Sequence, residues 1–254
     1  MARVDYTDGA HAYRAARTLP PEVAAAWGAT LAAARLPRPA LVLDVGAGPG
    51  GFLDLLADWF GAPVVAVEPS PAMRGEAHAA GVSPRRPYVA ARAEALPLRA
   101  GAADVAWLST VIHQCDDRPA VAAGLRRVLR PQGRVLVRGF FSDMRITGLF
   151  GAFPGIDRAA ATFPSTGEIV SCFDEAGFAL DAVHDVVEPW RTDLPTWRTR
   201  IQAVRHTDSA LRPLRDDEFA EGIRIVTDTY RDAPGPIPSD STLRLLVLRM
   251  APCA

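Results

Sequence analysis

Residues 41–52, LVLDVGAGPGGF, constrain the fold more than any other part of the chain. Leu41, Val42 and Leu43 are β-type residues that lead through Asp44 and Val45 into Gly46, Gly48, Gly50 and Gly51, and FLDLLADWF then carries apolar residues at helical spacing. That order predicts a buried strand, a glycine turn and a helix start. Glycine permits backbone conformations closed to other residues and lets the chain approach a ligand, while the helix N-terminus directs N–H donors at it. A nucleotide-like ligand is the expectation. The glycines fit two patterns: Gly46, Gly48 and Gly51 satisfy the dinucleotide spacing G-x-G-x-x-G, and Asp44, Gly46, Gly48 and Gly50 satisfy an acidic-x-G-x-G-x-G spacing.

From 41 to 138 the chain alternates strands (41–45, 64–68, 87–92, 104–109, 134–139) with helices (51–60, 71–80 and about 119–129), the last stopped by Pro131-Gln132-Gly133. Such alternation gives a parallel sheet covered on both faces by right-handed crossovers, with ligands beyond the strand C-termini. Glu68, at the tip of the second strand, stands where an acidic side chain accepts hydrogen bonds from ribose hydroxyls. The final third reads as a helix over 165–176 ended by Gly177, a long strand from Phe178 and a last strand over 241–250. Before the first core strand, Asp8 is placed to cap a short helix with His11, Tyr13, Arg14 and Arg17, and a second helix has Val23, Trp27, Leu31 and Leu36 on its apolar side.

The acidic-x-G-x-G-x-G spacing resembles motif I of the class I S-adenosylmethionine-dependent methyltransferases, and three further stretches resemble that family. They are VVAVEPSP (64–71), ARAEALPL (91–98) and DVAWLSTVIHQCDD (104–117). The resemblance implies an α/β, doubly wound seven-stranded sheet of order 3-2-1-4-5-7-6 with strand 7 antiparallel. It implies S-adenosyl-L-methionine as cofactor, with Asp44, Gly46, Gly48, Gly50 and Glu68 around its amino end and ribose. Arg92 stands where the family usually has an acidic or hydroxyl residue at the adenine, so the backbone of Ala93 is the alternative contact. Ser109 falls at the donor side of strand four. AYRAARTLP resembles the N-terminal element that closes over the donor, which brings in Tyr13 and gives Arg17 a pairing with the donor carboxylate. His113 is the candidate catalytic base, because it follows strand four where substrate and methyl meet; the alternative is that it only hydrogen-bonds the fold. The expected organisation is one domain over 1–254, with an N-terminal helical lid over 1–38 and substrate-cap insertions over 140–164 and 191–240. The aromatics of those insertions suit an apolar substrate site or plain core.

Composition narrows the chemistry. All 28 basic residues are arginine, which excludes a Walker-type phosphate lysine, a Schiff base and the Tyr-x-x-x-Lys dyad of short-chain dehydrogenases. Formal net charge is −1, so no global field favours nucleic acid or an anionic membrane. Cys115, Cys172 and Cys253 have neither metal nor disulfide spacing. Cys115 near His113 reads as a packed thiol, and Asp116–Asp117 as helix capping in preference to a metal pair. No run approaches the ~20 apolar residues that cross a bilayer, and a cytoplasmic protein is expected. The leading function is methyl transfer to oxygen, nitrogen or carbon of a small molecule, in bacterial specialised metabolism. An NAD(P)-dependent oxidoreductase and a non-methylating S-adenosylmethionine-binding protein stay open.

Overall fold

The computed structural model describes residues 9–81 and 86–251. Asp8 and Cys253 therefore lie outside the described residues. The sheet is built from β1 (Val42–Val45), β2 (Val64–Val67), β3 (Tyr88–Val89), β4 (Ala103–Ser109), β5 (Leu129–Gly139) and β6 (Phe178–Glu188), then, after a two-stranded ribbon of β7 (Arg191–Thr192) and β8 (Ile237–Pro238), β9 (Ser241–Met250). The strand order is β3-β2-β1-β4-β5-β9-β6. Pairings from β3 through β5 are parallel and those of β9 with β5 and β6 are antiparallel, which is the predicted 3-2-1-4-5-7-6 order with β9 as its seventh core strand.

Strands β1, β2 and β4 are buried almost continuously because helices cover both faces. The helices are α1 (Ala10–Arg17), α2 (Pro21–Ala33), α3 (Leu53–Phe60), α4 (Pro71–Ala79), α5 (Arg118–Val128), α6 (Ile156–Ala160), α7 (Thr166–Glu175), α8 (Leu194–Ala203) and α9 (Asp216–Tyr230). Proline begins or nearly begins α2, α4, α5 and α8, where a missing N–H costs no helical bond. Ser165 and Glu168 close a capping box at the start of α7, and Gly177 ends that segment at φ +84°. One side of the sheet packs Leu43, Leu108, Leu125 and Phe173; the other packs Trp27, Leu56, Trp107 and Leu136.

Two local expectations change. The third strand is only Tyr88–Val89, since the chain turns away to the loop that borders the site. The segment 131–133 does not lie outside the strands: α5 stops at Val128, Leu129 already pairs with Ala103, and the chain stays extended through a register shift with Gln132 at φ +66°.

A third apolar cluster lies off the sheet. Ala16 of α1, Leu149, Phe153 and Ile156 from the stretch after β5, and Trp197, Ile201, Leu211, Leu214, Val226 and Ile237 from the stretch between β6 and β9 share it. The two insertions and α1 thus form one layer with its own core, and Phe153 is its centre: its ring contacts those of Phe150, Trp197 and Phe219. Gly222 is required beneath it, because a Cβ there would stand 2.2 Å from Phe153 Cδ1. No helix among the described residues is long and apolar enough to cross a membrane.

Candidate functional site

Beyond the C-terminal ends of β1 and β2, the glycine loop and Glu68 lock together. Gly46 and Ala47 N–H donate to the Val67 carbonyl at 2.8 and 3.1 Å. Gly48 N–H donates to Glu68 Oε2 at 2.9 Å, and Ser70 N–H to Glu68 Oε1 at 2.8 Å. Glycine is obligatory at 46: φ is +75° and a Cβ would lie 2.4 Å from Val111 Cγ2. Gly48, at φ +54°, has no atom within 4 Å of its Cβ position, so a ligand can approach its backbone. Gly50 donates to the Ala47 carbonyl and shapes the turn from within, without lining the cleft.

Asp44 sits beneath this loop, 2 % exposed, and its Oδ2 has no hydrogen-bond partner. Burial, and then the nearby Glu68, push its carboxyl up to about 8. Glu68 is raised as well, by burial, although the Ser70 and Gly48 N–H groups and Arg74 oppose the shift. An orphaned carboxyl oxygen inside a protein calls for a donor, and a cation would lower the pKa again.

The cleft beside Gly46, Gly48 and Glu68 has a volume of about 450 Å³, and buried Asp44 lies behind its lining. Tyr13, Gly46, Gly48, Glu68, Arg92, Ala93 and Ser109 all line it, so seven of the residues predicted around a donor converge. Arg92 is held at its edge by Glu94 and Asp116 at 3.1 and 3.3 Å. Ser109 Oγ accepts from Arg138 at 2.8 Å. Cys115 also lines the cleft, but burial and then Glu94 push its thiol up to about 12, so it is no nucleophile. Asp117 caps α5 by accepting from Ala120 N–H at 2.9 Å.

A second cavity, of about 150 Å³, opens under the layer of insertions. Phe140, Ile146, Phe150, Phe163, Trp190 and Leu243 give it apolar walls, and Tyr13, Thr110 and Gln114 line both cavities. Thr110 holds the left-handed conformation at φ +53° while its N–H donates to the Arg138 carbonyl at 2.7 Å. That is a strained backbone at the wall between two compartments.

Arg17 lines this second cavity and not the cleft beside Glu68. Its guanidinium donates to Asp208 at 2.5 Å and stands 5.6 Å from the Tyr13 ring centre. The carboxylate that Arg17 meets in this structure is Asp208, 191 positions along the chain. His113 lines the same cavity, with Nε2 2.9 Å from Ser209 Oγ and its ring 4.8 Å from that of Phe163. Burial, and then Arg17, Arg118 and Arg212, push its imidazole down to about 3, so it is neutral and weakly basic. Arg138 lies at the end of β5, near Ser109. It pairs with buried Glu188, whose carboxylate also accepts from Trp27 Nε1 (2.7 Å), Trp190 Nε1 (3.1 Å) and Ser241 Oγ (3.2 Å). Burial raises the Glu188 carboxyl, but Arg138 and the two indoles outweigh it and hold it below the usual range. Asp143 pairs with Arg244 at 2.7 Å, a structural contact.

Sequence reasoning does not reach Thr110, Gln114, Trp190, Arg200, Asp208 and Ser209, which line the second cavity. Of these, Thr110 and Gln114 carry a local signal, next to Ser109 and His113 in the stretch 104–117.

Residues 43–137 match the family described as a methyltransferase domain. Over that segment the chain is similar to methyltransferase domains. The malonyl-acyl-carrier-protein O-methyltransferase of Pseudescherichia vulneris is 40% identical over 98 residues, 39% of this chain and 38% of that relative. The dimethylglycine N-methyltransferase of Parasynechococcus marenigrum is 34% identical over 103 residues, 39% of this chain and 36% of the relative. The chain thus matches less than two-fifths of either relative's length. Among solved structures, one from Anabaena variabilis, assigned as a methyltransferase of an antibiotic biosynthesis pathway, superimposes with a TM-score of 0.66 at 21% identity, over 91% of this chain and 98% of that one. The 4+2 cyclase SpnF gives 0.58 at 17% identity over 89% and 80%, a likeness of fold. The matched segment of the methyltransferase domain runs from β1 into β5 and contains the loop, Glu68 and Ser109; the apolar layer around Phe153 lies outside it.

Proposed function

We propose that this chain transfers a methyl group from S-adenosylmethionine to a small acceptor with an apolar body, seated in the cavity under the cap formed by α1 and the two insertions. The observation that carries this reading is the common wall of the two cavities, Tyr13, Thr110 and Gln114. In-line displacement requires donor and acceptor to meet across such a wall with water excluded. S-adenosylmethionine supplies an activated methyl on a sulfonium centre.

The chain's own residues suit the donor. Asp44 Oδ2 offers a buried acceptor for an ammonium, the remaining lone pairs of Glu68 suit ribose hydroxyls, and the open face of Gly48 admits close approach. Ala93 and Arg92 would border the base, Ser109 the amino-acid end, and Tyr13 the passage. His113 is read as an acceptor-orienting group acting with Ser209. An imidazole pushed to about 3 accepts a hydrogen bond but retains no proton near neutrality.

The test is to incubate the protein with S-adenosylmethionine and a panel of small acceptors and to follow the demethylated product chromatographically. Acceptor-dependent accumulation supports the reading. Tight donor binding with no product for any acceptor favours a protein that binds the donor without methyl transfer, a reading that the weak basicity of His113 also suits.

A further inference from the structure

Arg17, Asp208, Glu188 and Arg200 are the charged side chains that line the second cavity, and among the described residues Arg200 alone of the four has no ion-pair partner. Arg17 is paired with Asp208, and Glu188 is paired with Arg138. His113 is neutral in this setting. Arg200, on the last turn of α8, makes no hydrogen bond or ion pair among the described residues; its guanidinium stacks 4.0 Å from the centre of the Trp190 ring. Neighbouring Trp197 and Ile201 are buried in the core of the cap, which fixes the helix face on which Arg200 meets the cavity. Stacking on an indole leaves the N–H edge of a guanidinium available in its plane, where it matches an oxyanion in bidentate fashion.

Two further observations agree on the sign of the local field. Burial, and then the like charge of Arg17, push Arg200 down to about 10 although Asp208 and Glu188 oppose it. The imidazole across the cavity is disfavoured as a cation by burial first and then by three arginines. An added negative charge would offset the arginine part of each shift. Thr242 lines the same space, and its hydroxyl can donate to such a group. Arg200 lines this cavity and not the donor cleft.

We propose that the acceptor bears an oxyanion, a carboxylate or phosphate, on its apolar body, and that Arg200 binds that group as a recognition handle and not as the methylated atom. The proposal rests on the methyltransferase reading above and names the substrate class of its acceptor cavity.

The probes are hexanoate, benzoate and phenyl phosphate, with hexanol and benzyl alcohol as neutral counterparts, titrated into full-length protein saturated with S-adenosylhomocysteine. At least one oxyanion should bind tenfold or more tighter than its neutral counterpart. Arg200→Gln should reduce that preference to within about twofold while leaving the alcohols and S-adenosylhomocysteine unchanged, and Arg200→Lys should restore part of it. A readout free of any variant is phenylglyoxal modification of Arg200, followed by peptide mass spectrometry. The oxyanions should slow it at least fivefold and the alcohols should not. No anion preference in the wild type, a preference that survives Arg200→Gln, or absence of protection overturns the proposal. Failure of S-adenosylhomocysteine to bind at all overturns the methyltransferase reading instead, so the two failures are distinguishable.

Discussion

On the proposed reading, Asp44 should make donor binding a proton-releasing event. With its carboxyl at about 8, roughly nine-tenths of the sites carry that proton at pH 7, a ratio of ten to one for one unit. An ammonium brought against the orphaned Oδ2 lowers a carboxyl pKa by about 1–3 units, to between about 5 and 7. Binding should then release roughly 0.4 to 0.9 proton per site at pH 7. A donor amine of ordinary α-amino pKa takes up only about 0.1 proton under the same conditions. The sign also fixes the pH dependence of affinity, which rises with pH between about 6 and 8 because the proton must leave for the ion pair to form. The assay is proton release into weakly buffered solution containing a pH indicator, on saturation with S-adenosylmethionine, for the wild type and for Asp44→Asn. Release that disappears in Asp44→Asn supports the placement of Asp44 at the ammonium. Release below about 0.1 proton, or equal release from the variant, refutes it.

Other expectations follow from the same geometry. Gly46→Ala should destabilise the protein by about 3 kcal/mol, combining a left-handed alanine with the clash on Val111, and a urea melt with unchanged m-value checks it. Gly222→Ala should lower the melting temperature and loosen the cap through Phe153, and cap loosening should raise the acceptor KM more than the donor Kd. The folded pKa of His113 lies below its unfolded value, so the unfolded chain binds more protons between about 3 and 6.5, and its contribution to stability is lost as pH falls through that window. Acidification from pH 6.5 to 4.5 should therefore cost about 2.3 kcal/mol through His113 alone. Asp44, raised in the fold, works in the opposite sense between 3.8 and about 8. The comparison of wild type with His113→Gln isolates the histidine, and equal pH slopes for the two would remove it from that role.

What the sequence made legible is what short-range pattern encodes. The β1 strand, glycine loop and helix are contiguous, Glu68 ends a strand whose apolar run is unmistakable, and the terminal β6–β9 hairpin is announced by two long β-type runs. The length of β3 was not legible, because two paired residues and a turn toward the cleft look like six extended ones. The acceptor cavity was hidden for a different reason. Asp208 and Ser209 reach Arg17 and His113 from 191 and 96 positions away, and Trp190 and Arg200 meet through a stacking contact that no spacing rule predicts. The Arg17 contact with Asp208 in the cap has no signal in the residues around Arg17. Residues at a shared wall are positioned by packing between distant segments, and local periodicity carries no record of it.

The central claim is that the cleft beside Gly48 and Glu68, with Asp44 behind its lining, holds the methyl donor, and calorimetric titration of the wild type and of Glu68→Ala with S-adenosylmethionine tests it most directly. The account predicts saturable one-site binding that weakens roughly 30- to 150-fold in the variant, the loss of two hydrogen bonds worth about 1–1.5 kcal/mol each. Binding of equal strength in the two proteins, or none in folded wild type, contradicts it.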